Sequence, residues 1–351
     1  MMPARPRGGD GGLRHALSQV LAHRELTAEE ARSALEAILD GEVPASLLAA
    51  FLVSLRMRGE SVTELASFAR VMRGRARRIR TDHAVVVDTC GTGGDGAGTF
   101  NVSTVVAFVV AAAGVPVAKH GNRSVSSRCG SADLLEGLGI RIDGPPEDAE
   151  AGLRDAGLGF LYAPTLHPLL GRASAVRREL GVRTVFNLLG PLANPAGAPR
   201  QLIGVYDGGW VEKVAHVLLE LGSERAMVVH GGGLDEIALH DETIVAELRD
   251  GRVRMSTLCP EDAGLPRAAL HEIAGGDNAT NVSIAGDVLN GTRGPRRDIV
   301  LLNAAAALMV AGRTDDLRQA VAVAADAIDS GAARAVVQRL RALAPYAGRR
   351  G

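Results

Sequence analysis

The chain has 351 residues, of which 46% are hydrophobic and 23% are charged, with a formal net charge of −1. This composition is typical of a folded globular protein and excludes a disordered or fibrous chain. A net charge this close to zero also argues against nucleic acid or membrane as a partner of the whole surface. Glycine is frequent, with 43 residues, whereas aromatic residues make up only 3%.

The cysteines and the apolar segments predict a cytoplasmic protein. The three cysteines are widely spaced and form no Cys-x-x-Cys pair, which suits a reducing compartment. The longest apolar stretch, residues 105–118, is shorter than the roughly 18–20 residues needed to span a bilayer. The first ten residues lack the apolar core of a signal peptide, and we interpret residues 1–12 as a flexible arm.

Residues 13–80 predict a small helical domain. Thr27 is followed by two glutamates, the pattern of a helix N-cap with acids in the first turn. Pro44 begins a second apolar helix, and residues 61–64 form a capping box before a third. We expect these short helices to pack as a bundle.

From residue 82 onward, strands and helices alternate. Residues 84–88 are a β-branched run of the kind found in buried parallel strands. The other predicted elements are a helix near 103–113, strands at 115–118 and 225–230, a hairpin around 250–251 and helices from 298 to about 343. This alternation predicts an α/β domain over residues 82–351, with a central, mainly parallel sheet flanked by helices.

The densest run of glycines follows the first strand, where ligands bind in open α/β sheets. Five of the eight residues from Gly91 to Gly98 are glycine. Glycines let backbone N–H groups approach an anion, and a following helix N-terminus favours negative charge. The spacing matches neither a dinucleotide-binding fingerprint nor a P-loop. We interpret the run as an anion site, and the alternative is a tight turn before an ordinary N-cap.

Two groups of polar side chains accompany this turn. Asn101, Ser103 and Thr104 stand where the next helix begins, and could cap it or bind phosphate oxygens or a metal. Residues 119–127 follow the second strand and offer a cation, an amide, a guanidinium and three hydroxyls. That set favours phosphate binding over nucleophilic catalysis, although a solvated loop is the alternative. Ser131 is either the next N-cap or another phosphate contact.

Two charged motifs lie further along the chain. Asp235 and Glu236 follow a third strand, and their hard oxygen atoms suit Mg²⁺. The alternative is an ordinary acid pair in the first turn of a helix. Arg177 stands near a helix C-terminus, where it either complements the helix dipole or pairs with a substrate carboxylate. The arginines between residues 70 and 80 lack interleaved aromatic residues for base stacking, so we interpret them as a solvated helix end.

Together these motifs resemble the anthranilate phosphoribosyltransferases, glycosyltransferases of tryptophan biosynthesis. The resemblance covers nearly the whole chain and rests on residues 91–95, 99–104, 119–124, 184–191 and 233–236. It implies a small N-terminal helical domain, which helices from about 165–190 join in space, and a larger α/β domain, with the active site in the cleft between them. It also implies Mg²⁺ as the cofactor and a homodimer.

The resemblance further implies a reaction in which the 5-phosphoribosyl group passes from phosphoribosyl pyrophosphate to the amine of anthranilate, and pyrophosphate is released. The catalytic residues it implies are Lys119, Asn122 and Arg177. The implied contacts of phosphoribosyl pyrophosphate are Gly91, Gly94, Asp95, Thr99, Asn101, Val102, Ser103, Thr104, Lys119, His120, Gly121, Asn122, Arg123, Ser124, Val125, Ser126, Ser127 and Ser131. The implied anthranilate contacts are Gly91, Asn122 and Arg177. The implied metal contacts are Ser103, Asp235 and Glu236.

Two other functions stay open at this point. A nucleoside phosphorylase shares the fold relationship and a glycine-rich phosphate turn, but it would need no pyrophosphate-bound metal. A non-catalytic, nucleic-acid-binding relative would need a basic face around its cleft, which the net charge of −1 disfavours.

Overall fold

The computed structural model describes residues 10–343, apart from residue 42 and residues 125–127. The chain divides into two compact units. One comprises Met1–Arg77 and His167–Ala193, and the other comprises Arg78–Leu166 and Asn194–Gly351. The first unit is all helical and the second contains the sheet, so the predicted fold class is confirmed.

The helical unit consists of two segments of chain. Its helices, numbered along the whole chain, are α1 (Gly11–Leu21), α2 (Ala28–Asp40), α3 (Ala45–Arg58), α4 (Val62–Arg75), α9 (Gly171–Leu180) and α10 (Val185–Leu192). Helix α1 begins two residues inside the arm predicted at residues 1–12. The capping boxes at Thr27 and Ser61 are both confirmed: each hydroxyl accepts from the backbone N–H three residues on, at 3.3 Å.

The second capping box also anchors the bundle internally. Glu64 is fully buried, and its carboxylate accepts from the backbone N–H groups of Leu26 and Ser61, each at 2.8 Å. It also pairs with the guanidinium of Arg58. A buried carboxylate is tolerated only when it is paired and hydrogen-bonded, and Glu64 meets both conditions.

The burial of His167 predicts that the stability of the protein depends on pH. The side chain is buried, and burial lowers its pKa from 6.5 to about 4, against the opposing effect of a hydrogen bond with the backbone of Ala193. Between pH 4 and pH 6.5 the unfolded chain therefore binds more protons at this residue than the folded protein does. The contribution of neutral His167 to the free energy of unfolding is complete above pH 6.5 and is lost as the pH falls toward 4. We expect this residue to account for about 3 kcal/mol of the loss in unfolding free energy.

The measurement is urea unfolding of the wild type and of His167→Asn between pH 7 and pH 4. The difference between the two proteins isolates this histidine from the other titrating groups. Parallel pH dependences would contradict the assignment.

The second unit is built on a seven-stranded sheet. Its strands are β1 (Val87–Gly91), β2 (Val117–Gly121), β3 (Leu158–Tyr162), β4 (Arg200–Gly204), β5 (Arg225–Gly231), β6 (Thr243–Arg249) and β7 (Arg252–Leu258), and their order is β3-β2-β1-β4-β5-β6-β7. The first five strands of that order are parallel, and β6 and β7 form the predicted antiparallel hairpin at the edge. The sheet is thus mainly parallel, as predicted.

Helices cover the sheet on its two faces. They are α5 (Val102–Ala112), α6 (Ser131–Gly137), α7 (Pro146–Ala151), α8 (Ala163–Leu166), α11 (Val211–Glu220), α12 (Asn278–Leu289), α13 (Pro295–Val310), α14 (Leu317–Asp329) and α15 (Ala332–Leu343). In the main core, α5 and α13 pack against the face of the sheet that carries Val87 and Val117. Val86 and Ala118 belong to a smaller core, because neighbouring strand residues point to opposite faces. Among the described residues, no helix is both long enough and apolar enough to cross a membrane.

The strand order favours the carboxyl end of β1 as the position of a binding site. This strand lies between β2 and β4, so the chain builds the sheet outward from it in both directions. Ligands of open α/β sheets bind outside the carboxyl ends of the strands at such a reversal point. The strands β1, β2, β4 and β5 all end in glycine, which leaves backbone rather than side chain at this edge.

Candidate active site

The glycine turn after β1 requires its glycines. Gly93, Gly94, Gly96 and Gly98 have φ angles of 65°, 74°, 79° and 70°, in the left-handed region that other residues rarely adopt. Gly91 is needed for a different reason: a Cβ atom there would collide with the carboxylate of Asp235. The turn and the predicted acidic pair are therefore in direct contact.

Side chains from several elements fix the shape of this turn. The Gly93 N–H donates to Asp235 Oδ2 at 2.7 Å. Asp95 accepts from Ala97 N–H at 3.1 Å and from the N–H of Asp235 at 3.4 Å. Thr92 Oγ1 accepts from the N–H of Tyr206 beyond β4 at 3.0 Å. The glycine turn and the acidic pair thus form one hydrogen-bonded structure.

The start of α5 is capped from outside the helix. Asn101 stands at the N-cap, but its side chain does not cap the helix. Its Nδ2 instead donates to the Cys129 carbonyl at 2.9 Å. The cap comes from Glu236, whose Oε1 accepts from Ser103 N–H at 3.0 Å. Thr104 is buried, and its hydroxyl has no hydrogen-bond partner among the described residues.

Lys119 places a positive charge beside this cap. The side chain is buried on β2, on the face that packs against α5. Its Nζ donates to the carbonyl of Thr89 and, at 3.2 Å, to Ser103 Oγ. The neighbouring His120 is also buried. Of the contacts expected further along this segment, Val125, Ser126 and Ser127 lie outside the described residues.

The segment after β2 folds back on the start of α6. Asn122 N–H donates to Ser131 Oγ at 3.3 Å, and Ser131 Oγ donates to the Asn122 carbonyl at 3.2 Å. Ser131 is the first residue of α6 and Gly130 is its N-cap, so the N-cap interpretation of Ser131 is wrong by one residue. The Gly130 N–H is bound by Asp133 Oδ2 at 2.8 Å, which explains the shift.

Arg123 is engaged by acidic side chains of α6. Its guanidinium donates to Asp133 at 2.8 Å and to both carboxylate oxygens of Glu136 at 2.5 and 2.8 Å. These carboxylates raise the pKa of Arg123. The guanidinium is exposed and the two carboxylates are half-buried, so water screens these ion pairs in part.

Asp235 and Glu236 lie in a loop between β5 and β6, not in the first turn of a helix. Burial, followed by the charge of Asp95, raises the pKa of Asp235 to about 7. Burial and the charge of Asp235 also raise the pKa of Glu236 well above its usual value, and Lys119 acts in the opposite direction. Ionisation of both carboxyl groups is therefore unfavourable in this loop unless a cation neutralises them.

These two residues fit a magnesium ion that shares its ligands with a substrate. Carboxylate and hydroxyl oxygens are the hard donors that Mg²⁺ prefers. Among the described residues, no group of three or more His, Cys, Asp or Glu side chains is placed to hold a metal ion. One or two carboxylates with water and substrate phosphates are the usual magnesium site in phosphate-binding enzymes.

Arg177 belongs to the helical unit, on α9. Its guanidinium lies over the ring of Phe186, 5.2 Å from the ring centre. Burial lowers its pKa, and no carboxylate among the described residues forms an ion pair with it. A partly buried guanidinium without a carboxylate partner is suited to bind an anionic ligand.

Sequence reasoning missed one polar pair close to the site. Asp88 on β1 is fully buried, and its Oδ1 accepts from His120 N–H at 3.2 Å. Asn194 Nδ2 donates to Asp88 Oδ2 at 2.7 Å and to the Ala118 carbonyl at 2.8 Å. These hydrogen bonds connect β1 to β2 just before the glycine turn and the segment that follows β2. The available signal was a single aspartate at the end of a run of valines.

Models of known families match both parts of the chain. "Glycosyl transferase family, helical bundle domain" matches residues 14–76, and "Glycosyl transferase family, a/b domain" matches residues 83–334. The anthranilate phosphoribosyltransferase of Moorella thermoacetica is 55% identical over 329 residues, which cover 93% of this chain and 97% of that protein. The enzyme of the same name from Anaeromyxobacter sp. strain K is also 55% identical, with the same coverage.

Solved structures agree. Anthranilate phosphoribosyltransferase from Thermus thermophilus superposes with a TM-score of 0.89 at 44% identity, covering 93% of this chain and 98% of that one. The Saccharomyces cerevisiae enzyme, solved in complex with phosphoribosyl pyrophosphate and Mg, has a TM-score of 0.86 at 26% identity, covering 94% and 97%. With the fold and enzyme class predicted from the sequence thus confirmed, the chain belongs to the anthranilate phosphoribosyltransferases, enzymes of tryptophan biosynthesis within the glycosyl transferase family.

Proposed function

We propose that this chain transfers the phosphoribosyl group at the edge where β1, β2 and β5 end, with pyrophosphate on the glycine turn and Mg²⁺ on the acidic pair. The observation that carries the proposal is the double contact of the acidic pair. Asp235 binds the Gly93 N–H in the turn, and Glu236 binds the Ser103 N–H at the start of α5. A metal on these carboxylates would therefore stand beside any anion bound by the turn.

The roles of the residues follow from their surroundings. Backbone N–H groups of the turn and the N-terminus of α5 would bind the pyrophosphate. The segment after β2 would bind the remaining phosphate and the ribose. Ser103, Asp235 and Glu236 would hold Mg²⁺, which when bound neutralises the pyrophosphate and makes it a better leaving group. The other proposed contacts of phosphoribosyl pyrophosphate are those implied by the family resemblance.

In this reaction the protein would position the two substrates and stabilise the charge of the transition state. The bond between ribose C1 and the pyrophosphate oxygen breaks, a bond between C1 and the anthranilate nitrogen forms, and the nitrogen releases one proton to the departing pyrophosphate or to water. An arylamine is a weak nucleophile, so the transition state would resemble an oxocarbenium ion with negative charge growing on the pyrophosphate. Lys119 would stabilise that charge, and its hydrogen bonds to the Thr89 carbonyl and to Ser103 Oγ support this role.

Replacing Lys119 by Met is expected to lower kcat about 100-fold. The substitution keeps the apolar stem and removes the charge that would stabilise the leaving group. Steady-state assays at saturating substrates and Mg²⁺ test this, with thermal unfolding as the check on folding. A folded variant with kcat within a factor of about three of the wild type would contradict the role.

Anthranilate would be held by its carboxylate. Arg177 offers a planar guanidinium that binds a carboxylate through two hydrogen bonds. Gly91 and Asn122 are the other contacts that the resemblance implies. The Oδ1 atom of Asn122 already accepts a hydrogen bond from the Arg123 N–H. The NH₂ group of the same side chain therefore points away from Arg123 N–H.

The fluorescence of anthranilate gives a direct test of the activity. We expect it to fall when phosphoribosyl pyrophosphate, Mg²⁺ and the protein are mixed, and to stay constant without Mg²⁺. Pyrophosphate should appear in equal amount. Phosphate-dependent cleavage of a pyrimidine nucleoside without use of anthranilate would instead indicate a nucleoside phosphorylase.

The proposal includes a homodimer in the cytoplasm. Leu21 and Met57, at the ends of the packed helices α1 and α3, are 62% and 83% exposed, and a second copy would cover them. Light scattering should therefore give twice the mass of one chain, and the monomer mass would contradict the dimer.

All three cysteines are free thiols, which suits a reducing compartment.

A further inference from the structure

The loop that carries Asp235 and Glu236 is held by side chains and not by regular structure. The Ile237 N–H donates to Asn303 Oδ1 at 2.9 Å, and Asn303 Nδ2 donates back to the Ile237 carbonyl at 3.0 Å. The next residue, Ala238, donates its N–H to Thr243 Oγ1 at 3.0 Å. Both backbone groups of the residue after Glu236 are thus bound by one side chain.

Asn303 lies in the interior of the protein. It is fully buried on α13, within an otherwise apolar stretch of Leu and Ala residues. Asn303 Nδ2 also donates its second hydrogen to the Ile299 carbonyl at 2.9 Å. Both donor hydrogens and the acceptor oxygen of the side chain are thus hydrogen-bonded. A buried amide in a helix core is costly unless it is satisfied in this way, and an apolar residue would otherwise pack there.

We propose that Asn303 is a positioning residue, which aims the Asp235 and Glu236 carboxylates by binding both backbone groups of Ile237. The inference rests on the proposed metal role of that pair. Thr243, from the start of β6, supports the same loop one residue further on.

The electrostatics of the loop explain why such a support is needed. The Asp235 N–H donates to Asp95 Oδ2, so a third acid lies beside the pair, and these carboxylates repel one another when they are ionised. Glu236 and Asp235 hold α5 and the glycine turn at one end, through Ser103 and Gly93. Asn303 holds the other end from the core. A metal site whose ligands are fixed in advance binds its ion more tightly than one that must order them.

The test uses Asn303→Leu, which keeps the branched shape and removes all three hydrogen bonds. Mn²⁺, which takes the same oxygen ligands, is titrated into the enzyme with phosphoribosyl pyrophosphate, and free Mn²⁺ is followed by electron paramagnetic resonance. We expect the dissociation constant for Mn²⁺ to rise about tenfold, and the anthranilate KM to change less than about twofold. A smaller folded fraction would lower the number of sites and not the affinity of each.

Leu302→Ala is the matched control, because Leu302 is fully buried on the same helix but touches the apolar core. It should lose stability and keep the Mn²⁺ affinity of the wild type. If Asn303→Leu does not fold, Thr243→Val is measured instead and should weaken Mn²⁺ binding in the same direction.

The inference and the proposed function fail in different ways. Glu236→Gln tests the metal role itself and should weaken Mn²⁺ binding. Unchanged Mn²⁺ affinity in Asn303→Leu or, failing that, in Thr243→Val, together with a loss in Glu236→Gln, would overturn the positioning role alone. Unchanged affinity in Glu236→Gln would overturn the metal role, and the inference with it.

Discussion

Replacing Asp235 by Asn and Glu236 by Gln together is expected to lower kcat/KM for phosphoribosyl pyrophosphate about a thousandfold, which is roughly 4 kcal/mol. Both substitutions keep a side-chain oxygen that can still accept from the N–H groups of Gly93 and Ser103. The local structure should therefore survive while the negative charge that attracts Mg²⁺ disappears. Steady-state rates across a Mg²⁺ titration measure the effect.

The same double variant should be more stable than the wild type when no metal is present. Burial raises the pKa of Asp235 to about 7 in the folded protein, whereas the pKa in the unfolded chain is near 4. Ionisation of this carboxyl group therefore destabilises the folded protein progressively as the pH rises from 4 through 7. At pH 8 the whole penalty is present in the wild type and absent in the variant. Thermal unfolding at pH 8 in a chelator checks this sign.

A matched control lies six residues away in the chain. Asp241 and Glu242 are also adjacent acids, but both are exposed. Asp241→Asn with Glu242→Gln should leave the Mg²⁺ dependence unchanged. Equal losses in the two double variants would mean that general charge, and not the acidic pair, determines the effect.

Replacing Arg177 by Ala is expected to raise the anthranilate KM about 50-fold, which is roughly 2.3 kcal/mol. The KM for phosphoribosyl pyrophosphate should stay within about twofold, because the proposed ribosyl contacts lie elsewhere. Lysine should not rescue the loss, since an ammonium cannot bind a carboxylate through two parallel hydrogen bonds. Arg177 is also the guanidinium that lies over Phe186 without an acidic partner among the described residues.

Arg178, its exposed neighbour on α9, provides the control. Arg178→Ala should leave both KM values unchanged, and any change in helix stability should be common to the two variants. An equal rise in both KM values for Arg177→Ala would refute the assignment to anthranilate.

Local patterns made much of the fold predictable. The capping boxes at Thr27 and Ser61 and the hairpin turn at residues 250–251 depend on residues close in sequence, and all three are present. The strands β3 and β4 were missed. Each has five residues and lacks the β-branched run of residues 84–88, so its strand character comes from neighbouring strands.

The candidate site was predictable in its parts but not in its connections. The glycine turn and the acidic pair are visible as motifs, yet the hydrogen bond from Gly93 to Asp235 joins residues 142 positions apart. The same limit hid the partners of Asp88 and Asn303. Each is a single polar residue in an apolar segment, and only the folded chain shows that its partners are Asn194 and the backbone of Ile237.

Crystals grown with phosphoribosyl pyrophosphate and Mn²⁺ would test the central claim, that the glycine turn and the acidic pair form one pyrophosphate site. We predict pyrophosphate oxygens within hydrogen-bond distance of backbone N–H groups of residues 93–98. We also predict an anomalous Mn²⁺ peak about 2.2 Å from a carboxylate oxygen of Asp235 or Glu236. Pyrophosphate bound away from the turn, or a Mn²⁺ peak that touches neither carboxylate, would contradict the account.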